Sequence, residues 1–227
     1  MTDPELWVID PSVSHPETQG TQEVLRDWDG PARVFRPGLE PGSGPGPGVG
    51  YPDGGVVLMG SAASVHDSPP WLAPLATWLR PMLRGEPALP LLGICFGHQL
   101  IAHLAGAPVG FNRDDRAKTV ETSSTLLEGG RLLPGERELR VVISHREQVK
   151  RAPADYRVVA RRPAAPIDGL EHGRLPIFSF QFHPEAREEF AAEAGIDPRT
   201  IDRRVREDGQ VLLGSFRNVV RRLLLRR

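Results

Sequence analysis

Four short apolar runs in the first hundred residues constrain the fold of this 227-residue chain more than any other feature. They lie at residues 6–10, 32–35, 55–60 and 89–95, and each is apolar almost throughout. Strands that are covered on both faces have this pattern. Between the third and fourth runs a helical face carries Trp71, Leu75, Trp78, Leu79 and Met82, which we expect in the core. Strands alternating with helices predict an α/β fold with a parallel sheet.

The second half of the chain changes to strand patterns joined by short loops, at residues 119–130, 138–145, 156–162 and 176–182. Such strands predict antiparallel additions to the sheet. Two helices are then expected. One begins near Asp197 and Pro198, which suit an N-cap and a first turn, and the other covers residues 214–227.

A segment rich in glycine and proline interrupts the pattern at residues 37–55. This composition predicts a flexible loop between the second and third strands. A phosphate-binding loop is excluded, because no Lys-Ser/Thr pair and no helix follow the segment. We expect residues 1–227 to form a single domain that contains this loop.

Composition and charge argue against several function classes. The formal net charge of −1 gives no overall basic surface for nucleic acid or anionic lipid. No window holds the roughly 18 apolar residues that cross a bilayer, and the N-terminus lacks the features of a secretory signal. A single cysteine cannot form an internal disulfide. We therefore expect a cytoplasmic protein that binds neither nucleic acid nor membrane.

The single cysteine, Cys95, stands between glycines in the sequence GICFG, after the fourth apolar run and before a helical pattern. This context is typical of a nucleophile elbow, a strained turn whose close backbone packing leaves no room for Cβ atoms. The thiol would face the positive end of the helix, which favours the thiolate. An inert buried cysteine in a strand–helix turn is the alternative.

A thiolate that attacks an acyl group needs a base, and a group that orients the base. The sequence FSFQFHPE at residues 178–185 offers both. Its phenylalanines alternate with Ser179, Gln181 and His183, so the aromatic face is expected in the core and His183 on the other face. Glu185, two residues further along, can lie on the same face as His183. We therefore hypothesise a triad of Cys95, His183 and Glu185.

Two further strand ends are expected to complete the site. The backbone amide of Phe96 would point to where an oxyanion forms, and an amide at Gly60 or Ser61 would be the second donor if the third and fourth strands are neighbours. Residues 144–148 end a later strand with a polar cluster. Strand ends form the mouth of α/β sites, so this cluster is a candidate for substrate binding.

These motifs, in this order, resemble the class I (triad) glutamine amidotransferase family. LLGICFGHQLIAHLAGAPV is similar to the nucleophile motif of the family, and GVVLMGSAASVHDSPPWL to its oxyanion strand and turn. SHREQV looks like its Ser-His substrate motif, and FSFQFHPE like its Gln-Phe-His-Pro-Glu motif. The resemblance covers about residues 6–185. It implies an open, doubly wound, flavodoxin-like fold with a mixed sheet, and hydrolysis of the glutamine side-chain amide through a cysteine γ-glutamyl thioester, releasing ammonia and glutamate.

The resemblance assigns roles to individual residues. It makes Cys95 the nucleophile, His183 the general base and acid, and Glu185 the group that orients His183. The oxyanion amides would come from Gly60 and Phe96.

For substrate binding the resemblance points to Gln99, Ser144, His145 and Arg146, which would hold the α-amino and α-carboxylate groups of glutamine or a γ-glutamyl compound. No cofactor is expected. No metal is expected either, because the histidines near these motifs have no carboxylate or second cysteine at ligand spacing.

Two departures from the family pattern leave the function open. Residues 60–62 read Gly-Ser-Ala where many members have Gly-Gly-Pro, and residues 146–147 read Arg-Glu where many have Gly-Asp. A long side chain at Arg146 could favour a larger substrate, so a γ-glutamyl peptide or amide hydrolase acting alone is one alternative.

Little sequence follows Glu185, so we expect no fused synthetase domain, and a glutaminase would then serve a separate ammonia-accepting synthase subunit. A non-catalytic binding or regulatory protein on the same scaffold is the third interpretation.

Overall fold

A nine-stranded mixed sheet forms the centre of the protein in the computed structural model, which describes residues 3–224. The strands are β1 (Glu5–Ile9), β2 (Ala32–Phe35), β3 (Gly54–Leu58), β4 (Leu91–Ile94), β5 (Val109–Phe111), β6 (Thr119–Glu128), β7 (Glu136–His145), β8 (Glu147–Val149), β9 (Tyr156–Arg162), β10 (Ala165–His172) and β11 (Ile177–Phe180). The helices are α1 (Thr18–Leu25), α2 (Leu72–Leu83), α3 (Phe96–Leu104), α4 (Glu188–Ala194) and α5 (Arg203–Leu224).

The order of strands in the sheet is β2-β1-β3-β4-β11-β10-β9-β6-β7, and β5 pairs with β8 in a small separate sheet. The five strands from β2 to β11 are parallel, and the pairings beyond β11 are antiparallel. The prediction of a parallel sheet with antiparallel additions is confirmed. Strands β3 and β4 are direct neighbours, as the interpretation of the oxyanion site required.

Helices pack on both faces of the sheet, which explains why its central strands are apolar throughout. Every residue of β3 and β4 is buried. On one face the core includes Leu212 and Phe216 of α5. On the other face it includes Leu75, Trp78 and Leu79 of α2, with residues of α3, so the predicted helical face does form core. No helix among residues 3–224 is both long and apolar enough to cross a membrane.

The C-terminal region differs from the prediction. Near Asp197 there is only a single 3-10 turn, Pro198–Thr200, in which the Arg199 amide donates to the Asp197 carboxylate. The last helix begins at Arg203, well before residue 214, and the Asp202 carboxylate caps it by accepting a hydrogen bond from the Val205 amide. The early turns were missed because they are mostly charged. The predicted end of this helix, residues 225–227, lies outside the described residues.

The Gly/Pro-rich segment connects β2 to β3 without regular structure, and contacts near its end anchor it to α2. Trp78 of α2 donates its indole N–H to the carbonyls of Val49 and Gly50, at 3.2 and 3.1 Å. Tyr51 stacks on the same indole and donates its hydroxyl to the Trp78 carbonyl at 3.0 Å. These contacts hold the segment against α2, and no residue between 37 and 55 lines the cavity at Cys95.

Candidate active site

Cys95 occupies a strained turn between β4 and α3. Its backbone has φ 50° and ψ −101°, a conformation that non-glycine residues rarely adopt. Strain of this kind costs about 1–3 kcal/mol and persists only where surrounding contacts impose it. One such contact is the hydrogen bond from the Cys95 amide to the Phe180 carbonyl of β11, at 2.8 Å. The turn therefore has the geometry that a nucleophile elbow requires.

The two glycines that flank Cys95 are needed for close backbone packing. A Cβ on Gly97 would lie 2.2 Å from the Leu58 carbonyl oxygen of β3. A Cβ on Gly93 would lie 2.6 Å from the side chain of Ile101 and 2.8 Å from the backbone of Gly97. Glycine at both positions allows α3 to start directly against β3 and β4.

His183 and Glu185 lie beyond the end of β11 and form a buried pair. The strand ends at Phe180, two residues earlier than predicted, and His183 is then held by a hydrogen bond from its amide to the Val142 carbonyl of β7, at 2.9 Å. The imidazole Nδ1 lies 2.8 Å from Glu185 Oε1. The phenylalanines of this segment face the core, as predicted, and Gln181 and His183 lie on the other side.

Charge next to His183 favours its cation. Burial lowers the pKa of His183, but the Cys95 thiolate and the Glu185 carboxylate together outweigh burial, so the pKa lies well above its usual value of 6.5. Its Nε2 has no hydrogen-bond partner in the described part of the chain. An imidazolium that faces the same cavity as Cys95 can donate its Nε2 proton to a leaving group.

Two polar groups contact the sulfur of Cys95. The amide Nε2 of Gln181 donates to Sγ at 3.6 Å, and Sγ lies 3.7 Å from the Ser144 carbonyl oxygen. The sequence placed Gln181 on the same face as His183 but assigned it no role. Its donated hydrogen bond stabilises negative charge on the sulfur.

The end of β3 lies against His183 and Cys95. A Cβ on Gly60 would lie 2.8 Å from His183 Cε1 and 3.6 Å from the Cβ of Cys95. The side chain of Ser61 is used in the adjoining turn, where its hydroxyl donates to the Pro11 carbonyl and accepts from Ala63. Position 60 thus needs a glycine because the imidazole occupies the space of a side chain.

A cavity of about 480 Å³ opens above Cys95. Of the predicted site residues, the structure places eight in its wall: Gly60, Cys95, Gln99, Ser144, His145, Arg146, His183 and Glu185. Phe96 is the exception, because its ring points into the core against Trp71. Only the backbone amide of Phe96, in the first turn of α3, is available to the site.

Gln99 and His145, which were predicted to bind the substrate, have hydrogen-bond partners within the protein. Gln99 Nε2 donates to the Glu147 carbonyl at 2.7 Å and to Gln181 Oε1 at 3.2 Å, which uses both amide hydrogens. Both imidazole nitrogens of His145 also have protein partners, the Glu147 carbonyl and the Arg162 guanidinium. These side chains hold the turn at residues 144–147, and neither is free to bind a substrate through those nitrogens.

Residues that the sequence did not indicate line the rest of the cavity. One side carries Lys118 in addition to Arg146. The other carries His15, Glu17 and Glu193, from the β1–α1 loop and α4, with ligand atoms within 4.8 Å of one another. Burial, with the nearby Glu185 carboxylate, raises the pKa of Glu17 to about 7.

A comparison with protein families gives the same assignment as the motifs. The model of the family described as glutamine amidotransferase class-I matches residues 55–196, which contain Gly60, Cys95, His183 and Glu185. The chain belongs to the class I glutamine amidotransferase family. The resemblance that the sequence motifs indicated is thereby confirmed.

Curated relatives of this amidotransferase include a subunit of the glutamine-hydrolysing GMP synthase of Pyrococcus abyssi, 43% identical over 98 residues, which are 43% of this chain and 51% of the relative. The corresponding subunit of Pyrococcus furiosus is 38% identical over 98 residues, which are again 43% of this chain and 51% of the relative. The chain thus spans about half the length of the curated relatives it matches.

Solved structures resemble this amidotransferase over nearly the whole chain. A glutamine amidotransferase from Thermotoga maritima superposes with a TM-score of 0.75 at 19% identity, covering 99% of both chains. A glutamine amidotransferase from Methylobacillus flagellatus gives 0.71 at 16% identity, covering 97% of this chain and 96% of the other. Similarity at this level of identity shows the fold, and it confirms the doubly wound, flavodoxin-like type.

Proposed function

We propose that this protein hydrolyses the side-chain amide of glutamine through a γ-glutamyl thioester on Cys95, and that the ammonia passes to a separate synthase subunit. The observation that carries the proposal is the strained Cys95 turn, which opens into the same cavity as the buried His183–Glu185 pair. A nucleophile, a proton donor and a group that orients the donor are the parts that amide hydrolysis needs.

In the first half of the proposed reaction the Cys95 thiolate attacks the amide carbon. A carbon–sulfur bond forms, and the carbonyl π electrons move onto oxygen. When the tetrahedral intermediate collapses, the carbon–nitrogen bond breaks and His183 gives its Nε2 proton to the departing nitrogen, so that ammonia leaves. Glu185 accepts the hydrogen bond from Nδ1 and keeps that proton in place.

The oxyanion of the intermediate needs two donors. The amide of Phe96 is in the first turn of α3 and has no intrahelical partner. We assign the second donor to the backbone at Gly60, or at Ser61, because the end of β3 lies beside both Cys95 and His183. Loss of one such donor typically raises the barrier by about 2.7–4 kcal/mol.

In the second half a water molecule replaces ammonia. Neutral His183 takes a proton from the water, and the resulting hydroxide attacks the thioester carbon. The carbon–sulfur bond then breaks, glutamate leaves, and the thiolate and imidazolium are restored. The same two side chains thus serve both halves, with His183 changing from acid to base.

The relatives support glutamine as the substrate and a synthase as the partner. Several are named as subunits of a glutamine-hydrolysing GMP synthase. Since the chain covers only about half the length of these relatives, the ammonia acceptor is part of the proposal.

The size of the cavity favours a second candidate, hydrolysis of γ-glutamyl peptides or amides without a partner. The cavity of about 480 Å³ extends from Cys95 to the β1–α1 loop and α4, and it lies in the range of volumes that hold drug-sized ligands. Arg146 lines it and is exposed, so a leaving group larger than ammonia has both space and a charged partner.

Product release distinguishes these functions. Ammonia and glutamate are measured after the purified protein is given glutamine or a panel of γ-glutamyl dipeptides, with Cys95→Ala as the matched control. Release from glutamine by the wild type but not by Cys95→Ala supports the main proposal. Release only from dipeptides supports the second. Cys95→Ala is expected to abolish release while leaving the melting temperature nearly unchanged. No release from any compound, with no glutamyl adduct on Cys95 by mass spectrometry, would refute both and favour a non-catalytic role.

A further inference from the structure

A buried network of hydrogen-bonded polar side chains lies behind the cavity wall. Arg162, at the end of β9, donates its Nε to Asp168 Oδ2 of β10 at 3.0 Å, and its Nη2 lies 3.0 Å from His145 Nε2 at the end of β7. Thr125 of β6 donates its hydroxyl to the same oxygen of Asp168 at 2.7 Å. All four residues are at most 5% exposed. These four side chains therefore connect the interior of the antiparallel strands with the turn at residues 144–147.

The chemistry of arginine fixes the direction of these hydrogen bonds. A guanidinium only donates, so His145 Nε2 must accept and the imidazole must carry its proton on Nδ1. Nδ1 then donates to the Glu147 carbonyl, 3.1 Å away. Burial first, and then the cations of Arg162 and His183, lower the pKa of His145 to about 3, so the ring is neutral as this pattern requires.

The turn held by His145 forms one wall of the reaction site. Residues 144–147 all line the cavity, and the Ser144 carbonyl faces the sulfur of Cys95 at 3.7 Å. The Glu147 carbonyl accepts hydrogen bonds from both His145 and Gln99. A shift of the His145 ring would therefore move the wall against which a substrate binds.

We propose that Arg162 and Asp168 are positioning residues that fix the substrate-binding wall at residues 144–147 through His145. The inference rests on the proposed function, because it concerns recognition of the glutamyl group. Neither residue lines the cavity, and His145 is the cavity-lining side chain that the Arg162 guanidinium contacts.

A purely stabilising role does not explain the pair well. Buried ion pairs often contribute little net stability compared with apolar residues of similar volume. Here the guanidinium does more than neutralise Asp168: one of its nitrogens imposes a single tautomer on an imidazole beside the site. No sequence pattern indicated this role, because Arg162 and Asp168 belong to strands outside the recognised motifs.

Steady-state kinetics with glutamine test the proposal. Arg162→Met is expected to raise KM about tenfold or more while kcat changes less than about threefold, because the wall moves but the triad does not. Arg162→Lys keeps a cation and a donor, and it should restore part of the loss. Arg131→Met is the control: the Arg131 side chain, although more exposed than that of Arg162, also pairs with a buried carboxylate, Glu171, and it lines no part of this cavity.

A double-mutant cycle separates positioning from general destabilisation. In a His145→Ala background, Arg162→Met should raise KM no further, because the connection is already broken. Additive effects on KM, or a lower melting temperature with unchanged KM, would overturn the proposal.

The tautomer of His145 gives a readout that does not depend on activity. Imidazole ¹⁵N spectra should show a neutral Nδ1–H form in the wild type and its loss in Arg162→Met, and an unchanged spectrum would overturn the proposal. If the wild type releases no product at all, the proposed function fails, and these spectra still decide whether Arg162 fixes His145.

Discussion

The space at Gly60 allows a quantitative prediction for Gly60→Ala. The new methyl carbon would lie 2.8 Å from His183 Cε1, whereas ordinary contacts begin at about 3.4 Å, so the imidazole must move by about 0.6 Å. Misplacement by 1 Å at a reaction centre can cost about 100-fold in rate. We therefore expect kcat to fall about 10- to 100-fold. The backbone of Gly60 is not in the left-handed region, so the effect comes from space alone.

The fold should survive this change. Extra atoms in a packed site cost about 1–3 kcal/mol, and the melting temperature of a chain of this size changes by about 2–4 °C per kcal/mol. The assay is glutaminase activity together with thermal unfolding, and Gly50→Ala is the control because a Cβ there meets no atom within 4 Å. A Gly60→Ala protein with wild-type kcat would show that His183 does not need its present position.

Two further predictions concern the histidines. Glu185→Gln should lower kcat less than His183→Ala does, because in the proposed mechanism Glu185 orients the base whereas His183 transfers the proton; the opposite ranking in the glutaminase assay would reassign the roles. Burial holds the pKa of His98 at about 3, far below its value of 6.5 in an unfolded chain. Between these values only the unfolded state binds the proton, so stability should fall as the pH decreases below 6.5, by about 1.4 kcal/mol per pH unit for this group. Urea unfolding from pH 6.5 to 4.5 should show a slope smaller by that amount in His98→Gln, and an equal slope would mean that His98 is protonated in the folded protein.

The parts of the fold that sequence predicts are those with dense local signals. Strands β1, β3 and β4 are largely apolar because helices cover both faces of the sheet there, and this pattern is visible without any knowledge of neighbours. Strand β10 was missed because it carries Pro166, Asp168 and Gly169, and it reads as a strand only once β9 and β11 lie on either side. The start of α5 was missed for a related reason, since its buried residues become recognisable only against β7 and α1.

The residues of the candidate site likewise divide into those that the sequence predicts and those that it does not. Cys95, His183 and Glu185 were predictable because each lies in a motif whose spacing reflects local geometry. Glu17 and Lys118 were not, because they reach the cavity from loops whose position depends on the order of strands in the sheet. Arg162 illustrates the limit most clearly: its role depends on a pairing with His145 across three strands, and no local pattern encodes that distance.

Some of the unfavourable features of the structure lie where the proposed reaction takes place. Cys95 has a strained backbone, and among residues 3–224 His183 Nε2 and Glu185 Oε2 are buried nitrogen and oxygen atoms without a hydrogen-bond partner. Each such feature costs about 1–3 kcal/mol, in a fold whose total stability is expected to be about 5–15 kcal/mol. The large core on both faces of the sheet can tolerate that loss. The free Nε2 is also the atom that the proposal assigns to proton transfer, so a substrate that accepts its hydrogen bond would remove part of this cost on binding.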